Sequence, residues 1–162
     1  MPFKKSPRLP SFEYVGLYRY SVTICVLDRR CVFVNEEAVD LVRTQLQLTA
    51  VENGFAVLAY CFMPDHLHLL PEGTSDAANF LELMRIFKQR SSFHWKRRHG
   101  RELWQRSYIE RVVRDEEDTC TLARYILENP VRAGLVRSPG DYRFSGSLVM
   151  DLDTALDSFR RT

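Results

Sequence analysis

The sequence lacks any run of 18 or more apolar residues, the minimum that a membrane-spanning helix requires. It also lacks the apolar core that a secretory signal peptide carries near its N-terminus. The net charge is small, at +2 over 162 residues, so the overall charge does not indicate nucleic acid as a partner. From these absences and the length we expect a single cytoplasmic domain with no membrane partner.

Cysteine is scarce, and its spacing does not fit the common disulfide and zinc patterns. The four cysteines include no Cys-x-x-Cys pair and are too few for a disulfide framework. We interpret them as reduced thiols in the core or near the surface. One alternative stays open: Cys61, His66 and His68 could belong to a zinc site, although no fourth ligand of that kind stands near them in the sequence.

Positive charge is concentrated in one part of the chain, residues 85–106. This basic segment has eight cations against one acid, Glu102, which gives a local charge of +7. Phe93, Trp95 and Trp104 are interleaved with the cations, and such mixtures bind single-stranded nucleic acid by counterion release and stacking. The alternative is a solvated helix face whose aromatic side chains lie in the core. The cations are Arg85, Lys88, Arg90, Lys96, Arg97, Arg98, Arg101 and Arg106.

Residues 1–13 are predicted to form a flexible basic arm. Lys4, Lys5 and Arg8 stand there among three prolines, a composition that does not favour a packed element. We expect these three cations to contact a nucleic-acid backbone, together with the basic segment and Arg132.

Four segments have the β-branched and aromatic residues, bounded by turn residues, that are typical of strands. They span residues 18–27, 55–62, 66–70 and 108–113. Three helices are predicted between and after them. The first begins after Asn35 and ends at Asn53-Gly54, the second spans residues 76–98, and the third begins at Asp115 and is closed by Pro130.

The resulting order, βαββαβα, predicts an α+β fold. Helices that cross from the first strand to the second and from the third to the fourth are the plan of a ferredoxin-like split βαβ sandwich. We expect a four-stranded antiparallel sheet with helices on one face, plus a C-terminal helix.

Two histidines flank one apolar residue at the start of the third predicted strand. Alternate residues of a strand point to the same face, so His66 and His68 would present their imidazoles together, with Cα atoms about 6.5 to 7 Å apart. Tyr125 and Asn129 are four residues apart on the last predicted helix and therefore share a face. Two imidazole nitrogens and an amide oxygen suit Mg²⁺ or Mn²⁺ better than a structural zinc ion.

Four stretches of the sequence together resemble the one-tyrosine HUH transposases. Within that family the chain is most similar to the REP-associated tyrosine transposases and the small single-strand insertion-sequence transposases. The resemblance covers residues 14–147 and implies one HUH transposase domain there, followed by a C-terminal tail at residues 148–162. The stretches are His66-Leu67-His68, Leu103-Trp104-Gln105-Arg106, residues 125–136 with the run Tyr-x-x-x-Asn-Pro-Val-x-x-Gly, and residues 141–147.

The resemblance implies roles for four residues. His66 and His68 would be metal ligands, Tyr125 the catalytic nucleophile, and Asn129 a third ligand where the insertion-sequence relatives carry glutamine. The implied reaction is metal-dependent cleavage and rejoining of single-stranded, hairpin-bearing DNA through a 5′-phosphotyrosyl intermediate. One tyrosine per chain would serve two strand ends either in a homodimer or in successive reactions.

Two other functions stay open at this point. A noncatalytic module that binds single-stranded DNA or RNA would use aromatic residues on an open sheet face, with Tyr18, Tyr20 and Phe62 as candidates. A metal-dependent phosphodiesterase would use activated water and leave no covalent adduct. Tyr60 and Tyr108 are the alternative nucleophiles, although each is better explained as a core residue or as one that stacks on DNA.

Overall fold

A computed structural model describes residues 8–160 and places strands and helices in the predicted order. Within these residues, no helix combines the length and apolar character that crossing a membrane requires. Short 3₁₀ turns follow β1 at Leu27–Arg29 and precede β5 at Pro139–Asp141. The elements are β1 (Arg19–Cys25), α1 (Glu36–Glu52), β2 (Phe55–Met63), β3 (His66–Gly73), α2 (Phe80–His99), β4 (Ile109–Val113), α3 (Glu116–Arg132), β5 (Ser145–Gly146) and α4 (Leu152–Ser158).

Side-chain caps determine where the three long helices begin. The side chains of Asn35 and Asp115 each accept a hydrogen bond from the backbone N–H three residues ahead, at 2.9 and 2.8 Å. Both caps stand where the sequence predicts them. The second helix begins at Phe80 rather than at the predicted Asp76, because Asn79 caps it by the same contact at 3.1 Å.

The sheet has the strand order β4-β1-β3-β2-β5, and every neighbouring pair is antiparallel. The first four strands have the order of a ferredoxin-like sheet, so the predicted α+β fold is confirmed. β5 adds a fifth strand that the sequence does not reveal, because two residues, Ser145 and Gly146, are too short to form a pattern. β3 lies at the centre, bonded to β1 on one side and to β2 on the other.

Each face of the sheet packs on a different set of helices. One face buries Ile24, Phe62 and Leu67 in a core with α1 and α2. On the other face Cys61 and Leu70 are buried in a second core with α3 and α4. Burying a leucine or phenylalanine side chain stabilises the folded chain by about 1.5 to 3 kcal/mol, so both faces specify the alternation of side chains along the strands. The helices predicted on one face of the sheet are thus α1 and α2. The predicted C-terminal helix is α3, which covers the opposite face.

The segment that the sequence analysis sets apart as a C-terminal tail, residues 148–162, contains α4. Ala155 and Phe159 are buried in the same core as Ile126 and Leu127 of α3. Arg124 of α3 also donates a hydrogen bond to the carbonyl oxygen of Phe159. α4 therefore packs on the back of α3 and supports the helix that carries Tyr125.

The prediction that Pro130 closes the last helix is wrong, because α3 continues through Pro130 to Arg132. A proline near the end of a helix removes one hydrogen bond, here to the Ile126 carbonyl, and only a few backbone bonds remain beyond it. The helix ends at Arg132, and Gly134, two residues further on, turns the chain away with a left-handed φ of 74°. The following N–H, of Leu135, donates back to the Pro130 carbonyl oxygen at 2.9 Å. Arg132 consequently belongs to the helix, two turns beyond Tyr125.

This ending of α3 predicts that Gly134→Ala lowers the free energy of unfolding by about 1 kcal/mol, because only glycine adopts a left-handed φ without strain. Gly140→Ala is the matched control, since both positions have open space for a Cβ atom and Gly140 has no left-handed φ. Urea denaturation measures both changes. Equal effects of the two substitutions would contradict the assigned helix end.

Candidate functional site

The predicted histidine pair lies at the start of β3, on the face of the sheet that α3 covers. In the antiparallel register His66 stands opposite Cys25, and His68 stands opposite Thr23. The two rings meet edge to face, with centroids 4.7 Å apart and Nε2 atoms 3.0 Å apart. Only 11% of the His66 side chain and 8% of His68 are exposed. The imidazoles therefore converge, as the alternation of side chains in a strand predicts.

Each imidazole is held through its Nδ1 atom. The Nδ1 of His66 lies 2.6 Å from an oxygen of Asp65, whose carboxylate also accepts a 2.8 Å hydrogen bond from Nε of Arg29. The Nδ1 of His68 lies 3.1 Å from Oγ1 of Thr23. Both Nε2 atoms are left facing each other. This is the usual arrangement of metal-binding histidines, in which a protein group fixes the nitrogen that does not bind the ion.

The turn after β1 brings Arg29 to this position through an unusual backbone. Asp28 and Arg29 both have left-handed φ angles, 57° and 53°, which cost a non-glycine residue roughly 1 kcal/mol or more. From there Arg29 also donates from Nη1 to the Sγ of Cys25, at 3.0 Å. The strained turn thus directs one guanidinium at the carboxylate that orients His66.

The proton on His66 can be assigned from its partner. Burial works to raise the pKa of Asp65, but hydrogen bonds from His66 and Arg29 outweigh burial and hold that pKa below its ordinary value. Asp65 is therefore an ionised acceptor, and the Nδ1 of His66 must carry the shared proton. A neutral His66 then presents the lone pair of its Nε2 towards Nε2 of His68, 3.0 Å away.

Both imidazoles are neutral near pH 7. Burial lowers the pKa of His66 by more than Asp65 raises it. Burial is the main cause that lowers the pKa of His68 to about 3, and electrostatic interactions with His66, Arg132 and Arg29 lower it further. Two ligands in neighbouring positions of an octahedral ion, each about 2.1 Å from it, are about 3.0 Å apart. The separation of the two Nε2 atoms therefore fits a divalent cation.

Tyr125 lies on α3 with 52% of the residue exposed. Its hydroxyl has no hydrogen-bond partner among residues 8–160. The guanidinium carbon of Arg132 lies 3.8 Å from the centre of the phenol ring, and Nη2 of Arg132 donates to the Tyr125 carbonyl oxygen. Nη1 of the same arginine is 3.6 Å from the carboxylate of Glu128. The ring is thus in contact with a cation while its hydroxyl is free.

Asn129 lies one helical turn beyond Tyr125 and is half-buried. α3 packs across β2 and β3, so the helix and the histidine pair occupy the same face of the sheet. Within the described part of the chain, the Asn129 side chain has no hydrogen-bond partner. Its amide oxygen is therefore available as a ligand.

The zinc alternative with Cys61 is not supported. Cys61 is fully buried opposite His68, and burial raises the pKa of its thiol to about 12 although the charge of Arg132 opposes this. Among residues 8–160, no group of three or more His, Cys, Asp and Glu side chains is placed to hold a metal ion. A site built on the two histidines therefore needs an amide, water or phosphate oxygen to complete it.

Most cations expected to contact DNA have partners within the protein. Lys88 donates to the carbonyl oxygens of Gln105 and Arg106, at 2.8 and 2.9 Å, and so holds the loop before β4. Arg8 donates to Glu110 and to the Tyr108 hydroxyl. Four further cations of the basic segment form exposed ion pairs: Arg85 with Glu82, Arg90 with Glu52, Lys96 with Glu102, and Arg98 with Glu37.

Three cations of the basic segment, Arg97, Arg101 and Arg106, are exposed and have no side-chain ion pair with another residue of the described chain. Lys4 and Lys5 lie outside the described residues. The loop between α2 and β4 pairs with the end of β1: Leu27 N–H donates to the Leu103 carbonyl oxygen and Gln105 N–H to that of Cys25. Because Cys25 stands opposite His66, this basic loop lies at the same end of the sheet as the histidine pair.

The aromatic residues divide between core and surface. Trp95 and Trp104 are buried, and the Trp104 indole donates to Ser91 Oγ at 2.8 Å, whereas 59% of Phe93 is exposed. The interpretation of these residues as core aromatics is thus right for the two tryptophans. Phe93 alone of the three is placed to stack on a ligand.

The three residues that a noncatalytic binding module would use, Tyr18, Tyr20 and Phe62, do not form an exposed aromatic surface. Tyr20 and Phe62 are completely buried, and of the three candidates only Tyr18 reaches the surface. The alternative nucleophiles are also enclosed: Tyr60 is buried, and the half-buried Tyr108 has its hydroxyl bonded to Arg8. Tyr125 is the most exposed of these tyrosines.

Sequence reasoning missed Thr23, Asp65 and Arg29. Asp65 has a local signal, since it immediately precedes His66 in the hairpin turn. Thr23 and Arg29 have none, because they are brought to the histidines by the register of β1 against β3 and by the left-handed turn after β1.

Comparisons with known proteins agree with one another. The family model described as IS200-like transposase matches residues 14–129. A Haemophilus influenzae protein described as a REP-associated tyrosine transposase is 30% identical over 145 residues, 83% of this chain and 81% of that protein. A REP-associated tyrosine transposase of Escherichia coli is 28% identical over 98 residues, 58% of this chain and 55% of that one. The solved structure of a REP-associated tyrosine transposase bound to a REP hairpin has the same fold, with a TM-score of 0.72 and 21% identity over 88% of this chain and 82% of that one.

The contact between Asp65 and His66 predicts that Asp65→Asn weakens Mn²⁺ binding by about 10- to 100-fold, because the amide neither fixes the Nδ1 proton nor adds negative charge behind the ring. Isothermal titration calorimetry measures the affinity. Asp76→Asn, at an exposed position before α2, is the control and should bind like the wild type. Unchanged affinity of the Asp65 variant would contradict the role given to this carboxylate.

Proposed function

This chain belongs to the family of IS200-like transposases, and from that premise we propose that it cleaves and rejoins single-stranded DNA through a covalent link to Tyr125. The observation that carries the proposal is the convergence of two neutral imidazole nitrogens under a helix whose exposed tyrosine has a free hydroxyl. A phosphodiester bound there would have an activating site on one side and a nucleophile on the other.

We propose His66, His68 and Asn129 as the ligands of Mg²⁺ or Mn²⁺. The ion, when bound, supplies Lewis-acid activation of a nonbridging phosphate oxygen. Three features of the chain support this role: the neutral imidazoles, the fixed Nδ1 atoms and the 3.0 Å between the Nε2 atoms. Asn129 adds an amide oxygen, a kind of ligand that hard divalent ions prefer.

The proposed reaction replaces one phosphate ester bond by another, so the energy of the bond is kept for rejoining. The Tyr125 hydroxyl oxygen attacks phosphorus, and the bond from phosphorus to the 3′ oxygen breaks as the new bond forms. The phenol loses its proton and the departing oxygen gains one, which leaves a free 3′-hydroxyl and a 5′-phosphotyrosyl link. A 3′-hydroxyl from another strand end can then attack this link and release Tyr125. No nucleotide cofactor is required.

The proposed substrate is single-stranded DNA that carries a hairpin. A protein of the same fold was solved with a REP hairpin. In this chain the loop at the histidine end of the sheet presents Arg101 and Arg106, which are exposed and have no side-chain ion pair among residues 8–160. A backbone that follows these cations would approach the site from the loop before β4. Single-stranded or hairpin ends also reach a recessed site more easily than a rigid duplex.

The two rival functions are less well supported. Burial of Tyr20 and Phe62 removes two of the three aromatic residues on which the noncatalytic binding module would depend. A phosphodiesterase that activates water could use the same histidines, but it gives no role to an exposed tyrosine held against Arg132.

Tyr125→Phe is expected to lower covalent adduct formation at least about a hundredfold, because phenylalanine keeps the ring and lacks the nucleophile. The wild type and the variant are incubated with labelled hairpin-bearing single-stranded DNA and Mn²⁺, and a denaturing gel separates protein-linked DNA. Tyr18→Phe is the matched control, since Tyr18 is another exposed tyrosine, at 43%. An adduct that persists in Tyr125→Phe refutes the assigned nucleophile, and cleavage without any adduct in the wild type supports the water-based reaction.

The unpaired cations should contribute more to DNA binding than the paired ones. Arg101→Gln and Arg106→Gln are each expected to weaken binding for all sequences and to reduce the slope of log K against log salt by about 1. Arg85→Gln is the control, because its guanidinium is engaged by Glu82. Fluorescence anisotropy at several salt concentrations measures the slopes. Equal slopes for all three variants would contradict a DNA path over this loop.

A further inference from the structure

The guanidinium of Arg132 makes three contacts at the end of α3. It lies 3.8 Å from the centre of the Tyr125 ring, donates from Nη2 to the carbonyl oxygen of the same residue, and holds Nη1 3.6 Å from the Glu128 carboxylate. A planar, delocalised cation suits the first two contacts together, because it stacks on a ring face and donates in its own plane. A lysine ammonium cannot do both.

The charge of Arg132 also influences His68 and Cys61, which lie on neighbouring strands beneath α3. Burial is the main cause of the low pKa of His68, and Arg132 lowers that pKa further. Arg132 likewise works against the burial that raises the pKa of the Cys61 thiol. The guanidinium is thus close enough to β2 and β3 to act on the histidine pair while it touches the nucleophile.

The path of α3 makes this arrangement possible. Because the helix continues through Pro130, Arg132 stands seven residues, or two turns, beyond Tyr125 and projects from the same side. No side chain or backbone group in residues 8–160 hydrogen-bonds the Tyr125 hydroxyl, and 52% of the residue is exposed. An exposed phenol samples several rotamers, and attack on phosphorus requires one of them.

We propose that Arg132 is the positioning residue of the nucleophile: it stacks on the Tyr125 ring, bonds to the backbone of the same residue, and holds the hydroxyl in the orientation that faces the histidine pair. This inference rests on the proposed function of Tyr125. It gives Arg132 a role distinct from that of a general phosphate contact. The loss of the stack slows attack on phosphorus and leaves DNA affinity unchanged.

The test substitutes Arg132→Lys, which keeps the charge and removes the planar stack. Single-turnover adduct formation, measured on DNA-saturated protein with Mn²⁺, is expected to slow by about 10- to 100-fold, because a misplaced reacting atom costs rate of that order. The dissociation constant for DNA should stay within about twofold, since a charge at this position is retained. Arg137→Lys, at an exposed arginine just beyond the helix, is the matched control and should leave both quantities unchanged.

A second measurement reports the stack without any reaction. The chain has seven tyrosines, so protein labelled with 3-fluorotyrosine gives seven ¹⁹F resonances, and Tyr125→Phe identifies the one that belongs to Tyr125. That resonance should move in Arg132→Lys while the other six stay in place, and all seven should stay in place in Arg137→Lys. Arg132→Gln serves as a second variant if the lysine protein does not fold, and the same shift is expected.

The outcomes separate this inference from the proposed function. Adduct formation at the wild-type rate in Arg132→Lys, or an unmoved Tyr125 resonance, overturns the positioning role. A rate loss that is fully explained by weaker DNA binding also overturns it and makes Arg132 an ordinary phosphate contact. If the wild type forms no adduct with any DNA while the Tyr125 resonance still moves, the proposed function fails and the contact between the two side chains stands.

Discussion

The pairing of β3 between β1 and β2 determines where every part of the candidate site lies. A strand slipped by one residue would turn Leu67 and Leu69 towards α3 and bury both imidazoles in the core of α1 and α2. Each misplaced leucine would cost about 1.5 to 3 kcal/mol, and unpaired polar rings would add to that cost. The packing of two leucines on the far side of the strand therefore keeps the histidines on the near side, with His68 opposite Thr23 and Cys61.

The two faces of the sheet have separate tasks. α1 and α2 enclose the larger apolar core, whose residues include Tyr20, Phe80 and Phe87 with no exposed surface. The α3 face is smaller and holds the polar groups: the histidine pair, Thr23 and the carboxylate of Asp65. The packing energy of the core with α1 and α2 offsets the backbone strain of the turn at Asp28 and Arg29, which lies beside the polar groups of the α3 face. The polar site therefore does not have to supply the packing that keeps the sheet folded.

Local signals in the sequence are enough to predict the element order and to propose the two residue pairs of the candidate site. The His-Leu-His alternation and the four-residue spacing of Tyr125 and Asn129 are properties of single elements, and the ferredoxin-like order follows from the succession of elements. Contacts that depend on register or on backbone conformation were not accessible in that way. Thr23 meets His68 only because β1 pairs with β3, and Arg29 meets Asp65 only through two left-handed residues. The prediction for Pro130 is wrong because its local preference for ending a helix is weaker than the buried packing of Ile126 and Leu127, and the chain turns away only at the left-handed Gly134.

The passage of α3 through Pro130 has a consequence for motion. Since Pro130 has no N–H, the Ile126 carbonyl lacks its helical partner, and the final turn is held by one backbone hydrogen bond fewer than the turns before it. A bond of this kind contributes about 1 kcal/mol, so the local free energy of opening is lower for this turn than for the rest of the helix. The last turn of α3 therefore opens more readily than the turns packed on the sheet through Ile126 and Leu127, and the contacts of Arg132 with Tyr125 and Glu128 join this turn to the ones before it. α3 thus combines a firmly packed body with a last turn in which side-chain contacts replace part of the missing backbone bonding.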